Sequence, residues 1–225
     1  MAGRPCAAHL GGARLGLKPH LEVLDARQAD VLARLAGPMT RDGFYLAGGT
    51  AVALHLGHRR SVDLDWFTTS PLADPLQYAG RLRAEGLALA DAQVQRGTLH
   101  AQIDGVRVSV LEYRYPLLRE TAPLGDTGAR VAALEDLSAM KLAAVAQRGT
   151  RRDFVDLHAL ATEFRPLADL LDLYRRKYGA SDVTHVLYGL SYFDDAEREK
   201  MPHMLRPVEW TTVKDDVRAW IKAIA

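Results

Sequence analysis

The sequence predicts an α/β fold: a small mixed β-sheet flanked by helices, followed by an α-helical C-terminal region. Three observations carry that reading. Residues 44–67, FYLAGGTAVALHLGHRRSVDLDWF, run as strand, Gly-Gly turn, short helix and second strand. Residues 87–115 switch to strand patterns broken at Arg96-Gly97 and at Gly105, as in a three-stranded antiparallel meander. From Leu134 onward, apolar residues recur at helical spacing. At 225 residues, the chain makes one large domain or two small ones. Its 48% hydrophobic and 25% charged residues exclude a disordered or fibrous class.

The elements follow in order. Residues 1–18, rich in Gly and Ala without periodicity, read as a loose arm. Pro19 fits the first turn of a helix from about His20 to Leu35, with Leu21, Leu24, Val31, Leu32 and Leu35 as its buried stripe, stopped by Gly37-Pro38. A strand at Phe44–Ala47 leads through Gly48-Gly49 into a helix opened by Thr50, apolar at Val52, Leu54 and Leu56. After Gly57, the polar link His58-Arg59-Arg60-Ser61 precedes a strand at Val62–Phe67. Ser70-Pro71 closes this unit, and Asp74 caps a helix from Pro75 to about Glu85. The meander strands fall at residues 87–95, 98–104 and 106–115. Pro116, Pro123, Gly125 and Gly128 mark an irregular connection between a catalytic domain, residues 19–120, and a helical domain, residues 129–225.

In the helical domain, the first helix spans Leu134 to Gln147, with Leu137, Met140 and Ala144 inward. A second buries Phe154, Leu157, Leu160 and Ala161, and a third buries Leu167, Leu170, Leu171 and Tyr174 before ending in Arg175-Arg176-Lys177 and Gly179. Ser181-Asp182 caps a helix through Leu190. Asp194, Asp195 and Glu197 read as a solvated run. Pro207 precedes a final helix with Trp210, Val213, Val217, Trp220 and Ile221 inward.

Composition limits the function classes. A formal net charge of +1 excludes a generally basic nucleic-acid binder, so any such surface is local. The single cysteine, Cys6, excludes a disulfide framework and a cysteine metal cluster. No histidine pair has zinc-ligand spacing. No apolar run approaches the ~20 residues that span a bilayer, and no long apolar segment follows the first residues, so neither a membrane span nor a signal peptide is expected. The expected location is cytoplasmic.

The chemistry concentrates in residues 48–65. Side chains alternate along a strand, so Asp63 and Asp65 share one face while Val62, Leu64 and Trp66 take the other. Carboxylates about 7 Å apart at their Cα atoms on one face can share Mg2+ (or Mn2+) and a polyphosphate. Gly48 and Gly49 let the backbone approach a phosphate, and the next helix offers it free N–H groups. Further on, Lys141 borders the apolar stripe of its helix, a position where lysine ordinarily carries its charge out to water. Asp153 and Asp156, three apart, and Arg152 and Asp156, four apart, read on spacing alone as an ion-pair ladder at a helix start.

GGTAVALHLGHRRSVDLDWF resembles the signature of the nucleotidyltransferase superfamily with the polymerase-beta-like fold. More closely it resembles the AbiEii/AbiGii-type branch, with its pattern Gly-Gly-Thr, apolar helix, Arg-x-Ser-x-Asp-Leu-Asp-aromatic. The string KLAAVAQRGTRRDFVDL, residues 141–157, resembles that family's second signature. The resemblance implies a nucleotidyltransferase-like sheet and transfer of NMP from an NTP to an acceptor hydroxyl, in the toxin of a bacterial toxin–antitoxin or abortive-infection system. It implies metal ligands at Asp63 and Asp65 and nucleotide contacts from Gly48, Gly49, Thr50, Arg60, Ser61 and Lys141. Catalytic help from Asp153, with Arg148, Arg152 and Asp156 in support, is implied as well.

The wider superfamily places a third metal carboxylate on the strand beside the D-x-D strand. Here Ser109 stands where that Asp is expected, and Glu112 has the opposite parity and reaches the site only through a bulge. By resemblance the acceptor is a tRNA 3′ end or other RNA and the partner an antitoxin encoded nearby, with Arg59, Arg60, Arg148, Arg151 and Arg152 as local bases for RNA. Arg175, Arg176 and Lys177 form a second candidate basic patch. Nucleotidylation of a protein or of a small molecule such as an aminoglycoside remain alternatives, as does a catalytically silent binding module.

Overall fold

Asp25, not Pro19, opens the first long helix. Its carboxylate accepts the amide of Gln28 (2.8 Å) while the Gln28 side chain accepts the amide of Asp25 (2.8 Å), a reciprocal capping box. The protein is described here from a computed structural model covering residues 18–224. The arm expected at residues 1–18, Cys6 included, lies outside the described residues except for Lys18. Leu21–Val23 forms a 3-10 turn, and helix α1 runs Ala26–Arg41. The expected stop at Gly37-Pro38 is therefore wrong: Pro38 sits inside the helix. Proline forfeits one amide bond there, but buried Leu35 and Met39 on either side keep the last turn on the core.

Strand β1 (Tyr45–Ala47) runs directly into helix α2 (Gly48–Leu56), and β2 (Asp63–Thr68) returns antiparallel to β1, pairing Ala47 with Asp65. Thr50 does not open α2 but is its third residue. Val62 falls just before β2 and is exposed, whereas Leu64 and Trp66 are fully buried. Helix α3 (Pro75–Ala84) is capped by Asp74, as expected. The meander forms as β3 (Ala90–Gln95), β4 (Thr98–Ile103) and β5 (Val106–Glu112), antiparallel throughout.

The connection after β5 is less irregular than its prolines suggest. It supplies β6 (Ala122–Pro123) and β7 (Arg130–Val131), and β7 pairs parallel with β1. The result is a seven-stranded mixed sheet in the order β3-β4-β5-β2-β1-β7-β6. Pro123 sits on the β6 edge, where a missing amide is tolerated.

The remaining helices are α4 (Leu134–Gln147), α5 (Arg151–Glu163), α6 (Leu167–Tyr178), α7 (Thr184–Ser191), α8 (Asp194–Glu197) and α9 (Trp210–Ile224). The acidic run Asp194, Asp195 and Glu197 is solvated, as expected, but forms the short helix α8 with Ala196 buried, and Glu197 receives Lys214 (2.5 Å) and the Trp210 indole (3.0 Å). Lys177, by contrast, is not part of a surface patch. It is buried, donating to Asp136 (2.6 Å) and to the Pro116 carbonyl (3.0 Å), while Asp136 accepts the amides of Leu118 and Arg119. Unpaired, such a lysine would carry an uncompensated buried charge. Paired, it fastens the chain after β5 to the helices. The C-terminal segment also returns to the link after α2: Arg60 N donates to His203 O (2.8 Å), Leu205 N donates to His58 O (2.9 Å), and Arg59 bridges Met204.

Candidate active site

Five structural elements converge on one cleft. Strand β2 brings Asp63 and Asp65, and β5 lies parallel beside it with Asp63 opposite Arg107 and Asp65 opposite Ser109. The start of α2 brings Gly49 and Thr50; α4 and the start of α5 bring Lys141, Arg148, Arg152 and Asp153. These residues, with Ser61, His100 and Arg107, line a cleft of ≈ 480 Å³. Helix α2 has no side-chain cap at Ala47, so its first amides owe nothing to a capping side chain.

The two glycines are required by what packs on them. Gly48 has φ +68°, and a Cβ there would lie 2.6 Å from Asp65 Oδ2. A Cβ on Gly49 would lie 2.4 Å from the Arg59 guanidinium. Thr50 and Ser61 join the ends of the unit: their hydroxyls are 2.6 Å apart, and the Thr50 hydroxyl also donates to the Asp63 carbonyl.

Asp63 faces two arginines, Arg107 Nε at 2.6 Å and Arg152 at 3.6 Å. Burial, reinforced by the Asp63 charge, pushes the Asp65 carboxyl above the usual range, although a hydrogen bond from Ser109 and the charges of Lys141 and Arg148 act against it. Ser109 lies half-buried between the core residues Val108 and Val110 and so faces the cleft; His100 Nδ1 is 3.1 Å from its hydroxyl. Glu112 is elsewhere, tied to the Leu72 amide (2.8 Å) and to Arg114. Among the described residues, no three His, Cys, Asp or Glu side chains converge as a metal cluster.

The cleft's far wall is an ion-pair network centred on Asp156, which is fully buried. Asp156 receives Arg59 through Nε (2.6 Å) and a terminal nitrogen (2.8 Å), Lys141 Nζ (2.7 Å) and His58 Nε2 (2.8 Å). Lys141 also reaches Asp153 (3.0 Å), which accepts Arg148 through two nitrogens (2.8 and 3.0 Å) and the Thr150 hydroxyl (2.6 Å). Burial alone would raise both carboxyls, but Lys141 and Arg148 at Asp153, and Arg59 and Lys141 at Asp156, hold them well below the usual range. Lys141 is only 5% exposed, so it does not carry its charge out to water, and the Asp153–Asp156 spacing is no surface ladder.

The local bases proposed for RNA divide accordingly. Arg59 is buried on Asp156, and the Arg151 guanidinium is spent on the carbonyls of Ala196 and Glu197. Arg148 and Arg152 stand partly exposed at the cleft rim. Arg60 is exposed and does not line the cleft; Arg59, one residue earlier, does. Sequence reasoning passed over His58, His100 and Arg107. For Arg59 a signal existed, because in Arg-x-Ser the arginine two residues before Ser61 is Arg59.

Paired aspartates on one strand of a mixed sheet, beside an uncapped helix start and a buried lysine, are the arrangement expected of a nucleotidyltransferase. The profile of the family described as the nucleotidyl transferase AbiEii toxin of a type IV toxin–antitoxin system matches residues 30–220, and the chain belongs to that family. An uncharacterized protein of Aquifex aeolicus (strain VF5) is 33% identical over 201 residues, covering 88% of this chain and 96% of its own. Two solved structures share the fold. JHP933 from Helicobacter pylori aligns with TM-score 0.52 and 20% identity over 89% of this chain and 93% of its own. An H. pylori nucleotidyltransferase candidate aligns with TM-score 0.54 and 18% identity over 89% and 96%.

Proposed function

We propose that the protein transfers NMP from an NTP to a hydroxyl of an RNA acceptor, a tRNA 3′ end in the first instance, with Mg2+ or Mn2+, as a cytoplasmic toxin controlled by an antitoxin. The observation that carries this is the single cleft that holds Asp63 and Asp65, the open start of α2, and Lys141 with Arg148. Residues 19–120 then form the catalytic unit, and residues 129–225 lend Lys141 and Asp153 to it.

The donors at the carboxylate pair are all hard oxygens: Asp63, Asp65 and the Ser109 hydroxyl beside Asp65. Burial leaves the Asp65 charge under-compensated, so this set fits a divalent cation that completes its shell with water and substrate oxygens. Bound there, the cation would neutralise charge on the transferred phosphoryl group.

The chain's own groups do the rest. Attack of the acceptor hydroxyl on the α-phosphate forms the new P–O bond as the bond to pyrophosphate breaks; the hydroxyl proton passes to water, and charge accumulates on the leaving group. The amides of Gly48, Gly49 and Thr50 receive the outer phosphates. An ammonium has three donors; Lys141 donates one to Asp153 and pairs with the Asp156 carboxylate at 2.7 Å, so a donor is left for a phosphate oxygen. Asp153, held anionic by its cations, is a poor proton acceptor; its part is to aim Lys141 and Arg148. Asp156 does the same for Lys141 and Arg59. Arg152 and Arg148 at the rim favour an acceptor that itself carries phosphates.

The test is incubation with each α-labelled NTP and Mg2+ against pools of tRNA, protein and aminoglycosides. Label on tRNA that Asp63→Ala and Asp65→Ala abolish is the expected result. Label only on protein or on a small molecule overturns the acceptor, and label nowhere overturns the transfer itself.

A further inference from the structure

The cleft has a second lobe of different character. It shares Gly49, Asp65, His100, Ser109, Lys141 and Arg148 with the polar lobe, but beyond them its walls are Phe67, Tyr113, Tyr115, Tyr174 and Tyr178, closed by Met140. Its ≈ 520 Å³ lies within the ~300–1,000 Å³ usual for small-molecule sites. The rings form one continuous set. Phe67 meets Tyr113 edge-on (5.6 Å between centroids), Tyr113 meets Tyr115 (5.0 Å), Tyr115 meets Tyr178 edge-on (4.7 Å), and Tyr178 meets Tyr174 (4.6 Å). The Tyr113 and Tyr178 hydroxyls hydrogen-bond to each other.

This lobe is held in shape from below. The buried Lys177 grips the Pro116 carbonyl directly after Tyr115, and Asp136 grips the amides of Leu118 and Arg119. Tyr115 itself stays 46% exposed, an aromatic face that folding does not consume although its backbone is fixed. A fixed, partly exposed aromatic face opening onto phosphate-binding groups suits a flat ring attached to a phosphate chain.

We infer that the tyrosine-walled lobe is the nucleobase subsite, in which Tyr115 stacks on the base of the NTP. The inference rests on the nucleotide reading of the cleft above and adds where the nucleoside lies. The outer phosphates reach the start of α2, Lys141 and Arg148 across the shared wall, and the base takes the aromatic end. Recognition by ring faces is tolerant of base identity. Gln147, exposed on the lobe's lining, is the one amide side chain there able to read a base edge.

The experiment compares binding of the four NTPs and of inorganic tripolyphosphate to wild type, Tyr115→Ala and Tyr115→Trp by equilibrium titration. Truncating Tyr115 should weaken NTP binding roughly tenfold, within the about 5- to 150-fold range of a lost base stack. Tripolyphosphate binding should be unchanged, and the tryptophan variant should hold NTP as wild type does. Saturation-transfer NMR on the wild type should show the base protons closer to the protein than the ribose protons. An alanine variant that binds NTP like wild type, or that loses NTP and tripolyphosphate alike, overturns the inference. So does a wild type that binds no NTP. Wild type that binds NTP through Tyr115 yet labels no acceptor leaves the subsite standing and sinks the proposed transfer. Label transfer with no effect of Tyr115→Ala does the reverse.

Discussion

Asp156→Asn removes one charge and almost no volume, and the structure sets what that does. The carboxylate is fully buried, accepts two bonds from Arg59 and one from His58, and forms an ion pair with Lys141 at 2.7 Å. Lys141 keeps Asp153 after the change, but the buried Arg59 guanidinium loses its carboxylate partner and is left with neutral acceptors, the remaining amide oxygen and the Arg60 carbonyl (2.8 Å). Breaking one side of a buried ion pair typically destabilises by about 3–5 kcal/mol. In a chain of this length, that lowers the melting temperature by roughly 6–20 °C.

Urea denaturation at pH 7 measures the loss. The double variant Arg59→Met with Asp156→Asn should recover part of it, because the stranded charge leaves with its partner. A single-variant loss below about 1 kcal/mol, or a double variant no better than the single, would refute the view that Asp156 is the electrostatic centre of the wall.

The pH dependence follows from the same cations. The Asp156 carboxyl is depressed in the folded state, so its stabilisation is full above the ordinary value of 3.8 and declines as pH falls below it toward the depressed value. The gap between wild type and Asp156→Asn should therefore be constant from pH 7 to about pH 5 and narrow in stronger acid. A gap that widened on acidification would carry the wrong sign.

Lys141→Met should weaken NTP binding or turnover by roughly 10- to 1000-fold, the range for a charge-assisted phosphate contact in a partly dry site; unchanged NTP titration in a folded variant sinks the assignment. Ser109→Asp should fold, because the side chain faces the cleft and not the core, and should bind Mn2+ more tightly by electron paramagnetic resonance. A variant that unfolds contradicts the β2–β5 register. Arg107→Met frees one oxygen of Asp63 and should also tighten Mn2+ binding several-fold, whereas weaker binding would show that the arginine supports the site and does not compete with the cation.

The local half of this molecule was legible because its signals are local. Strand parity put Asp63 and Asp65 on one face, and turn residues delimited the meander. The opposition of Ser109 to Asp65 followed once β5 was set beside β2. Long-range side-chain partners were not legible. Lys141 borders an apolar stripe whether it snorkels or is buried against two aspartates twelve and fifteen residues on; only the packing of α4 on α5 decides. Lys177 looked like the end of a basic run because its counterion, Asp136, lies 41 residues away on another helix. Pro38 misled for a different reason: burial of Leu35 and Met39 outweighs a missing amide bond near a helix end.

The strap that ties residues 203–206 to His58, Arg59 and Arg60 has a consequence for how the protein is made. Asp63 and Asp65 leave the ribosome early, but the residues that lock the neighbouring link follow about 140 positions later. At ~5–20 residues per second, a nascent chain spends roughly 7–30 seconds with its aspartates synthesised and the wall behind them unfinished. A member of a toxin family thus has its cleft wall unlocked while the ribosome is still producing it.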